Sequence, residues 1–216
     1  MDDRGPRLCG LGPGNGLSDS QCGGSTSESW RSTGIPRSCH GVRTTEQKNL
    51  SLLIRAFKDT DIALDIIGDG PLREPLLKEA EELGVELKIF DPVPNDQLPS
   101  IYNKYPMYVL CSTYEGNPKT LLEAMACERA VIGVDSPGIS SIIQNNNNGL
   151  LVAPDSDKLR EAIKTLMNDE NLRNSLGFDA RKTILNNYSL ENGVRKENEM
   201  IKNIISKIGS HKSIVS

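Results

Sequence analysis

The chain has 216 residues, of which 37% are hydrophobic, and it carries a formal net charge of -4 at pH 7. This length is enough for one well-packed core, with room for at most a small second domain. No apolar run is long enough to cross a bilayer, and the acidic balance argues against nucleic acid as a partner. Phosphate binding would therefore depend on a few placed basic groups and on helix ends. The sequence shows no signal peptide, so we expect a cytoplasmic protein.

Residues 1–40 differ in composition from the rest of the chain. They are rich in Gly, Ser, Pro and Arg and show no period of two or of 3.6 residues. We expect this segment to be disordered or appended to the fold; a linker, an unnatural junction and an out-of-frame translation all stay open. Cys9, Cys22 and Cys39 have neither a paired spacing nor a histidine cluster, which argues against zinc and against a disulfide framework.

From Gly41 onward, short apolar runs alternate with amphipathic segments. This alternation is typical of βαβ units, so we predict an α/β domain with a Rossmann-like parallel sheet and flanking helices over residues 41–208, followed by a tail at 209–216. Strands are predicted at residues 62–68, 87–90, 107–112, 130–134 and 150–153. Helices are predicted at residues 46–58, 71–84 and 96–104, from Pro118, and at 157–167, and the sequence after Met167 has only helical pattern.

The loop after the strand at 107–112 is the first candidate site, because ligands of a parallel sheet bind beyond the carboxyl ends of its strands. The sequence there is YEGNPKTLLEAMA. Asn117 is a good N-cap and Pro118 suits the first helical position, so a helix is predicted to begin at Pro118. The N–H groups of Lys119 and Thr120 would then be free to seat an anion.

Two carboxylates flank this anion seat. Glu115 lies on the loop just ahead of it, and Glu123 lies more than a turn inside the helix. Carboxylates accept hydrogen bonds from sugar hydroxyls but repel phosphate, so the pair could hold hydroxyls on either side of a bound phosphate. The alternative is that Glu115 is a solvated loop charge and Glu123 an exposed helix charge. The residues alone leave both interpretations open.

A second loop, GVRTTEQKNL, covers residues 41–50. Thr44 followed three places later by Gln47 is a capping-box pattern, which predicts a helix from about Thr45. Arg43 and Lys48 would then crowd the start of that helix, where each cation is disfavoured by about 0.3–1 kcal/mol unless an anion neutralises it. The alternative is that both side chains project into water.

Two further loops carry weaker signals. IIGDGPLRE has Gly68 and Gly70 between a strand and a helix, which lets backbone approach a ligand closely. A lone pair of glycines at this spacing is weak evidence. The loop DSPGI at 135–139 is interpreted as a plain turn.

These segments together resemble the family 4, or group 1, glycosyltransferases. EGNPKTLLEAMA resembles the E-x7-E segment of the family, GVRTTEQKN its G-R-L-x-x-x-K-N segment, IIGDGPLRE its G-x-G-P segment and NNNNGLLV its N-G-L-L-V segment. The four motifs occur in the family's order. The resemblance covers residues 41 to about 205 and implies the C-terminal, donor-binding half of a two-domain GT-B fold.

The resemblance implies a nucleotide-diphosphate sugar as donor and a glycan or lipid-linked sugar as acceptor. Glu115 would contact the donor sugar, Glu123 would hold the ribose, and Arg43 with Lys48 would neutralise the diphosphate and stabilise the departing nucleotide. The implied reaction retains the anomeric configuration and needs neither a metal nor another cofactor. The remaining donor-binding residues that the resemblance implies are Gly68, Gly70, Val93 within the base-lining segment 90–94, Gly116, Asn117, Lys119 and Thr120.

The sequence also departs from the family pattern. Glu128 and Arg129 follow the E-x7-E helix where the family usually has a glycine, which puts the turn geometry in question. The segment IPRSCH is a poor strand former, which leaves open a sheet without its first strand. His40 and His211 lie outside every motif and are interpreted as surface residues.

Three functions stay open on the sequence. The preferred one is the donor-binding half of a retaining transferase, as a fragment, a truncated product or one chain of a split enzyme. It would be inactive alone and would pair with an N-terminal acceptor domain or chain; peripheral association of the full enzyme with a membrane is open. The alternatives are a non-catalytic nucleotide-sugar binding module and, ranked lower, an epimerase of related fold.

Overall fold

A computed structural model describes the backbone of residues 37–41 and the whole of residues 44–188 and 198–202. Within these ranges the chain forms one six-stranded sheet in the order β3-β2-β1-β4-β5-β6, and every pair of neighbouring strands is parallel. The Rossmann-like parallel sheet predicted from the sequence is therefore confirmed. The strands are β1 Arg37–Gly41, β2 Ala63–Ile67, β3 Leu87–Phe90, β4 Met107–Leu110, β5 Ala130–Val134 and β6 Leu150–Val152.

Six α-helices connect and flank these strands in the described ranges. The first is preceded by a short 3-10 turn at Glu46–Lys48, and the third by another at Asn95–Gln97. The helices predicted up to residue 188 are present, with ends shifted by a few residues, and residues 198–202 are also helical. The helices are α1 Leu50–Phe57, α2 Arg73–Leu83, α3 Leu98–Tyr102, α4 Lys119–Ala126, α5 Ser156–Asn168 and α6 Glu170–Asn187.

The first strand is present, although its sequence is a poor strand former. All five residues of β1 pair with β2, from Arg37 opposite Ala63 to Gly41 opposite Ile67, and Cys39 also faces Tyr108 of β4. Two buried apolar strands, one on each side, offer hydrogen-bond partners to the β1 backbone, and this tertiary context overrides strand propensity. The sheet thus begins four residues before the expected start at Gly41.

The sheet is covered on both faces, and β4, β5 and β6 divide their side chains between two cores. In β4, Met107 and Val109 join one cluster while Tyr108 and Leu110 join the other. The first cluster packs against α1, α2 and α5, and the second against α3 and α4, with α6 contributing to both. A fully buried Leu or Ile contributes about 1.5–3 kcal/mol, so these two clusters supply most of the stability. None of the described helices is long and apolar enough to span a membrane.

The turn between α4 and β5 is tight even though no glycine occupies it. Glu128 adopts a left-handed conformation with φ 59°. Gly177 of α6 packs so closely on this turn that a Cβ there would overlap the carbonyl oxygen of Glu128. The guanidinium of Arg181 donates to the carbonyl of Ala126, and Arg129 Nε donates to the carbonyl of Cys127 at 2.9 Å. These contacts hold Glu128 in a conformation that side chains normally avoid.

Several sequence predictions concern residues outside the described ranges. These are the nature of residues 1–36, the site residue Arg43, the helical pattern from Leu190 (apart from residues 198–202) and the tail at 209–216. His211 lies there as well.

We predict that Glu128→Gly stabilises the protein. Left-handed backbone costs a residue with a Cβ about 1–2 kcal/mol, while glycine loses about 0.5–1 kcal/mol through its freer unfolded chain, so the net gain should be about 0.5–1 kcal/mol. Chemical denaturation measures it. The control is Glu81→Gly, an exposed glutamate inside α2, which should lose about 1 kcal/mol. A loss of stability in Glu128→Gly would contradict the strain argument.

Candidate active site

A cleft of about 610 Å³ opens at the carboxyl ends of the strands. It lies beside the point where the strand order reverses, between β1 and β4, which is where ligands of such sheets bind. Its walls come from the loops after β1, β2, β3 and β4, so segments distant in sequence meet there. The lining residues are Thr45, Ile67, Gly68, Asp69, Gly70, Pro71, Pro92, Val93, Leu98, Tyr102 and Thr120.

Glu115 and Lys48, predicted independently from two loops, are in direct contact. Lys48 Nζ lies 2.6 Å from Glu115 Oε1. The same oxygen accepts a hydrogen bond from the Ser112 hydroxyl at 2.5 Å. Glu115 is only 8% exposed. The interpretation of Glu115 as a solvated loop charge is therefore wrong, because the carboxylate is buried against a cation and a hydroxyl.

Backbone contacts lock the two loops of this ion pair together. Thr113 donates its N–H to the carbonyl of Gln47 at 2.9 Å, and Gln47 Nε2 donates to the carbonyl of Tyr114 at 2.7 Å. The turn at Glu46–Lys48 is thus fixed against the loop that carries Glu115. Lys48 owes its position to these long-range contacts.

The predicted capping box at Thr44 is wrong. Thr44 is fully buried, and among the described residues its hydroxyl has no hydrogen-bond partner. Its backbone N–H donates to the carbonyl of Asp69 at 3.0 Å, and the Gln47 side chain turns to Tyr114. α1 begins only at Leu50, because these residues serve contacts between loops instead of a helix start. Thr44 also meets Gly70, where a Cβ would lie 2.6 Å from the Thr44 hydroxyl oxygen.

The loop after β5 was interpreted from the sequence as a plain turn. In the structure it forms hydrogen bonds with the loop that carries Glu115. The N–H of Glu115 donates to the carbonyl of Pro137 at 2.9 Å, and the Ser136 hydroxyl donates to the carbonyl of Ser112 at 2.7 Å. Gly138 has φ 91°, and a Cβ there would overlap the Glu115 carbonyl. The glycine is required both for its backbone conformation and for this close approach.

The start of α4 differs from the prediction by one residue. Pro118 is the N-cap, with ψ 70°, and Lys119 is the first helical residue. The N–H of Lys119 donates to the carbonyl of Asn117 at 2.8 Å, so it is not free to seat an anion. Thr120 lines the cleft, and none of the described groups accepts from its N–H. The anion seat predicted from two N–H groups is therefore reduced to that of Thr120.

Glu123 is buried, so its interpretation as an exposed helix charge is wrong. It is 5% exposed, and its Oε2 accepts from the Tyr102 hydroxyl at 3.2 Å. Lys119 Nζ lies 3.6 Å from Oε1. Burial raises the pKa of Glu123, while Lys119 and the hydrogen bond from Tyr102 act in the opposite direction and offset only part of the increase.

The structure brings most of the described site residues to this region, although they contribute in different ways. Gly68, Gly70, Val93 and Thr120 line the cleft directly, whereas Lys48, Glu115, Gly116, Asn117, Lys119 and Glu123 are not among its lining residues. Glu123 connects to the cleft wall through Tyr102. Sequence reasoning missed Tyr102, because an aromatic residue on an apolar helix face looks like ordinary core.

The parallel sheet and its flanking helices are the Rossmann-like arrangement of a GT-B glycosyltransferase C-terminal domain. The family profile described as "Glycosyl transferases group 1" matches residues 40–183, so the chain belongs to that family. The family resemblance inferred from the four motifs is therefore confirmed.

Two curated relatives show the level of similarity. The chain is 33% identical over 139 residues to an N-acetylgalactosamine-N,N'-diacetylbacillosaminyl-diphospho-undecaprenol 4-alpha-N-acetylgalactosaminyltransferase of Campylobacter jejuni, covering 61% of this chain and 37% of that protein. It is 27% identical over 164 residues to a poly(ribitol-phosphate) alpha-N-acetylglucosaminyltransferase of Staphylococcus aureus, covering 73% and 33%. The chain thus spans less than half the length of these relatives.

Solved structures agree with the fold. A Staphylococcus aureus TarM variant in complex with Fondaparinux, alpha-GlcNAc-glycerol and UDP aligns with a TM-score of 0.71 at 25% identity, covering 76% of this chain and 35% of that one. The C-terminal domain of a group 1 glycosyl transferase from Francisella tularensis, LpcC, aligns with a TM-score of 0.67 at 23% identity, covering 81% of this chain and 100% of that one.

We predict that Glu123→Gln stabilises the ligand-free protein at neutral pH. Because the folded pKa of Glu123 lies above its usual 4.5, the folded protein binds this proton more tightly than the unfolded chain does. Wild type therefore loses stability as pH rises from 4.5 through the raised pKa, and the glutamine variant does not. The stability difference should appear over that window and persist above it.

Denaturant titrations between pH 4 and pH 8 measure this difference. The control is Glu81→Gln at an exposed position, which should show no comparable pH-dependent difference. A glutamine variant that is less stable than wild type at pH 7 would mean that the contacts of the carboxylate outweigh its burial.

Proposed function

We propose that the chain is the donor-binding half of a retaining, metal-independent glycosyltransferase. It binds a nucleotide-diphosphate sugar, from which the full enzyme transfers the sugar to a glycan or lipid-linked acceptor. The observation that carries the proposal is the 2.6 Å contact of Lys48 with Glu115 at the strand ends, beside the start of α4. A cation, a sugar-binding carboxylate and a helix N-terminus are the groups that a sugar diphosphate requires.

The charges of these residues suit a departing nucleoside diphosphate. When the bond from the sugar to the diphosphate breaks, negative charge grows on the phosphate oxygens. Lys48, with Arg43 from the sequence motif, would stabilise that charge, as a preorganised cation does without any metal. Thr120 would donate its N–H to the same phosphates. Glu115 would then face the sugar, where its carboxylate accepts hydroxyl hydrogen bonds.

The other end of the cleft suits a nucleoside. Glu123 would accept from the ribose hydroxyls, and the apolar residues Val93, Pro92 and Ile67 would pack against the base. Gly68 and Gly70 let the backbone approach the ligand. The UDP in the TarM structure supports a nucleoside diphosphate as ligand.

The names of the relatives support the acceptor class. The Campylobacter jejuni relative is named for an undecaprenol-linked sugar and the Staphylococcus aureus relative for poly(ribitol-phosphate). A glycan or lipid-linked sugar is therefore the acceptor class proposed for the full enzyme. Peripheral contact with a membrane would follow if the acceptor is lipid-linked.

We predict that Arg43→Gln with Lys48→Gln weakens nucleoside diphosphate binding far more than nucleoside binding. Loss of a charge-assisted hydrogen bond costs about 1.5–3 kcal/mol, or about 10- to 100-fold in affinity for each cation. Isothermal titration with UDP, GDP, ADP and CDP, and then with the nucleoside of the tightest binder, measures the effect.

The matched control for this pair is Lys58→Gln, an exposed lysine at the end of α1, which should leave both affinities unchanged. Equal losses for diphosphate and nucleoside would show that the double variant had only disturbed the fold. If none of the four diphosphates binds wild type, the proposed function itself is wrong.

We also predict that the isolated chain binds a nucleotide sugar weakly and transfers nothing. The acceptor must be held against the donor across the cleft, and a single half cannot fix both reactants. Incubation with labelled nucleotide sugars and mixed glycan or lipid acceptors tests this, and reproducible transfer by the chain alone would contradict it.

The matched experiment adds an N-terminal acceptor half, in the same chain or as a second one. Transfer should then appear, with the anomeric configuration retained and with full activity in EDTA. Nucleotide-sugar binding without transfer in the joined protein would favour the non-catalytic binding module instead.

A further inference from the structure

We propose that Tyr102 and Tyr108 are positioning residues, which hold the ribose-binding carboxylate of Glu123 and the phosphate-binding hydroxyl of Thr120 at a set separation. The proposal rests on the proposed function, because it assigns a ribose to Glu123 and a phosphate to Thr120. Neither tyrosine belongs to the sequence motifs that define the site.

Tyr102 fixes one end of this arrangement. Its side chain is almost fully buried at the end of α3, yet it forms part of the cleft wall. Its hydroxyl donates to Oε2 of Glu123, which belongs to α4, at 3.2 Å. Among the described groups, the second oxygen, Oε1, has the longer contact of 3.6 Å from the half-exposed Lys119. With Oε2 held, Oε1 is the oxygen available to a ribose hydroxyl.

Tyr108 fixes the other end. It is fully buried in β4, and its hydroxyl donates to Thr120 Oγ1 at 2.7 Å. Since Thr120 accepts this bond, its own hydroxyl hydrogen is directed away from Tyr108. Thr120 lines the cleft, so its hydroxyl and its N–H can both donate to one phosphate. The N–H of Lys119 is not available to the phosphate, but the Thr120 hydroxyl provides a second donor in its place.

The two tyrosine rings join these ends into one unit. Their centroids are 5.8 Å apart with an interplanar angle of 78°, an edge-to-face contact. Rigid rings in close-packed surroundings hold their hydroxyls more firmly than flexible side chains do. The spacing between the ribose carboxylate and the phosphate hydroxyl is therefore set by a rigid pair of rings, not by α4 alone.

Three matched Tyr→Phe variants test this assignment, because each removes one hydroxyl and keeps the ring. Tyr105 is the control, since its hydroxyl donates to Asp65 at 2.9 Å and it does not line the cleft. Isothermal titration of each purified variant uses three probes: the diphosphate that wild type binds best among UDP, GDP, ADP and CDP, its 2′,3′-dideoxy analogue, and its nucleoside.

Each variant has its own expected signature. Tyr102→Phe should reduce the preference for the ribose over the dideoxyribose diphosphate about five- to tenfold, the worth of one hydrogen bond. Tyr108→Phe should keep that preference and reduce the preference for diphosphate over nucleoside by a similar factor. Tyr105→Phe should change neither ratio. Adding Tyr102→Phe to Glu123→Gln should produce no further loss of ribose preference, because both act through one carboxylate.

A purely structural role of the tyrosines would lower all affinities together and leave both ratios at their wild-type values, which would overturn the proposal. Should Tyr102→Phe fail to fold, as thermal unfolding would show, the Tyr108 arm decides: Tyr108→Phe and Thr120→Val must be non-additive in phosphate preference. Wild type that binds a diphosphate but shows no ribose preference overturns this inference alone. Wild type that binds none of the four overturns the proposed function as well.

Discussion

The contact between Lys48 and Glu115 organises the whole site. The two residues are 67 positions apart and belong to the loops after β1 and β4, which are neighbours only because the strand order reverses between them. The Glu115 carboxylate is buried and Lys48 is partly exposed beside it; without this cation the carboxylate would be an unpaired buried charge, which is strongly destabilising. The ion pair therefore links the loops after β1 and β4 at the candidate site, and the contacts of Gln47 and Ser136 with the loop after β4 reinforce it.

Two buried polar groups near the cleft carry an electrostatic cost that the rest of the fold must offset. Glu123 is buried with a raised pKa, and the Thr44 hydroxyl is buried without a partner among the described groups. Such features are rarely retained for stability, because an apolar replacement would be cheaper. The two apolar cores on either side of the sheet stabilise the fold enough to offset the cost of burying these polar groups.

Sequence patterns predicted most of the architecture but fewer of the local contacts. Apolar runs located five strands, because a doubly covered sheet buries both faces of each strand. β1 was not predicted, because its strand conformation depends on pairing with β2 and β4, and no local sequence pattern reveals that pairing. The cap at Thr44 failed for the same reason, because its backbone bonds to Asp69 and Leu72 of another loop. The cap at Asn117 failed because the helix begins one residue later, with Pro118 as its N-cap. Motifs singled out Lys48, Glu115 and Glu123 as candidates, whereas no motif singled out Tyr102, because an aromatic residue on an apolar helix face looks like ordinary core.

Gly138 packs directly against the carbonyl of Glu115, and this close contact limits which substitutions the two loops can accept. A change in the loop after β5 cannot be neutral for the loop that carries Glu115, the carboxylate proposed to bind the sugar, since the two backbones touch with no side chain between them. New sugar preferences would have to arise by coordinated substitutions in both loops, or at positions outside this contact. A library that randomises the Glu115 loop while holding residues 136–138 constant would sample only part of the accessible sequence space.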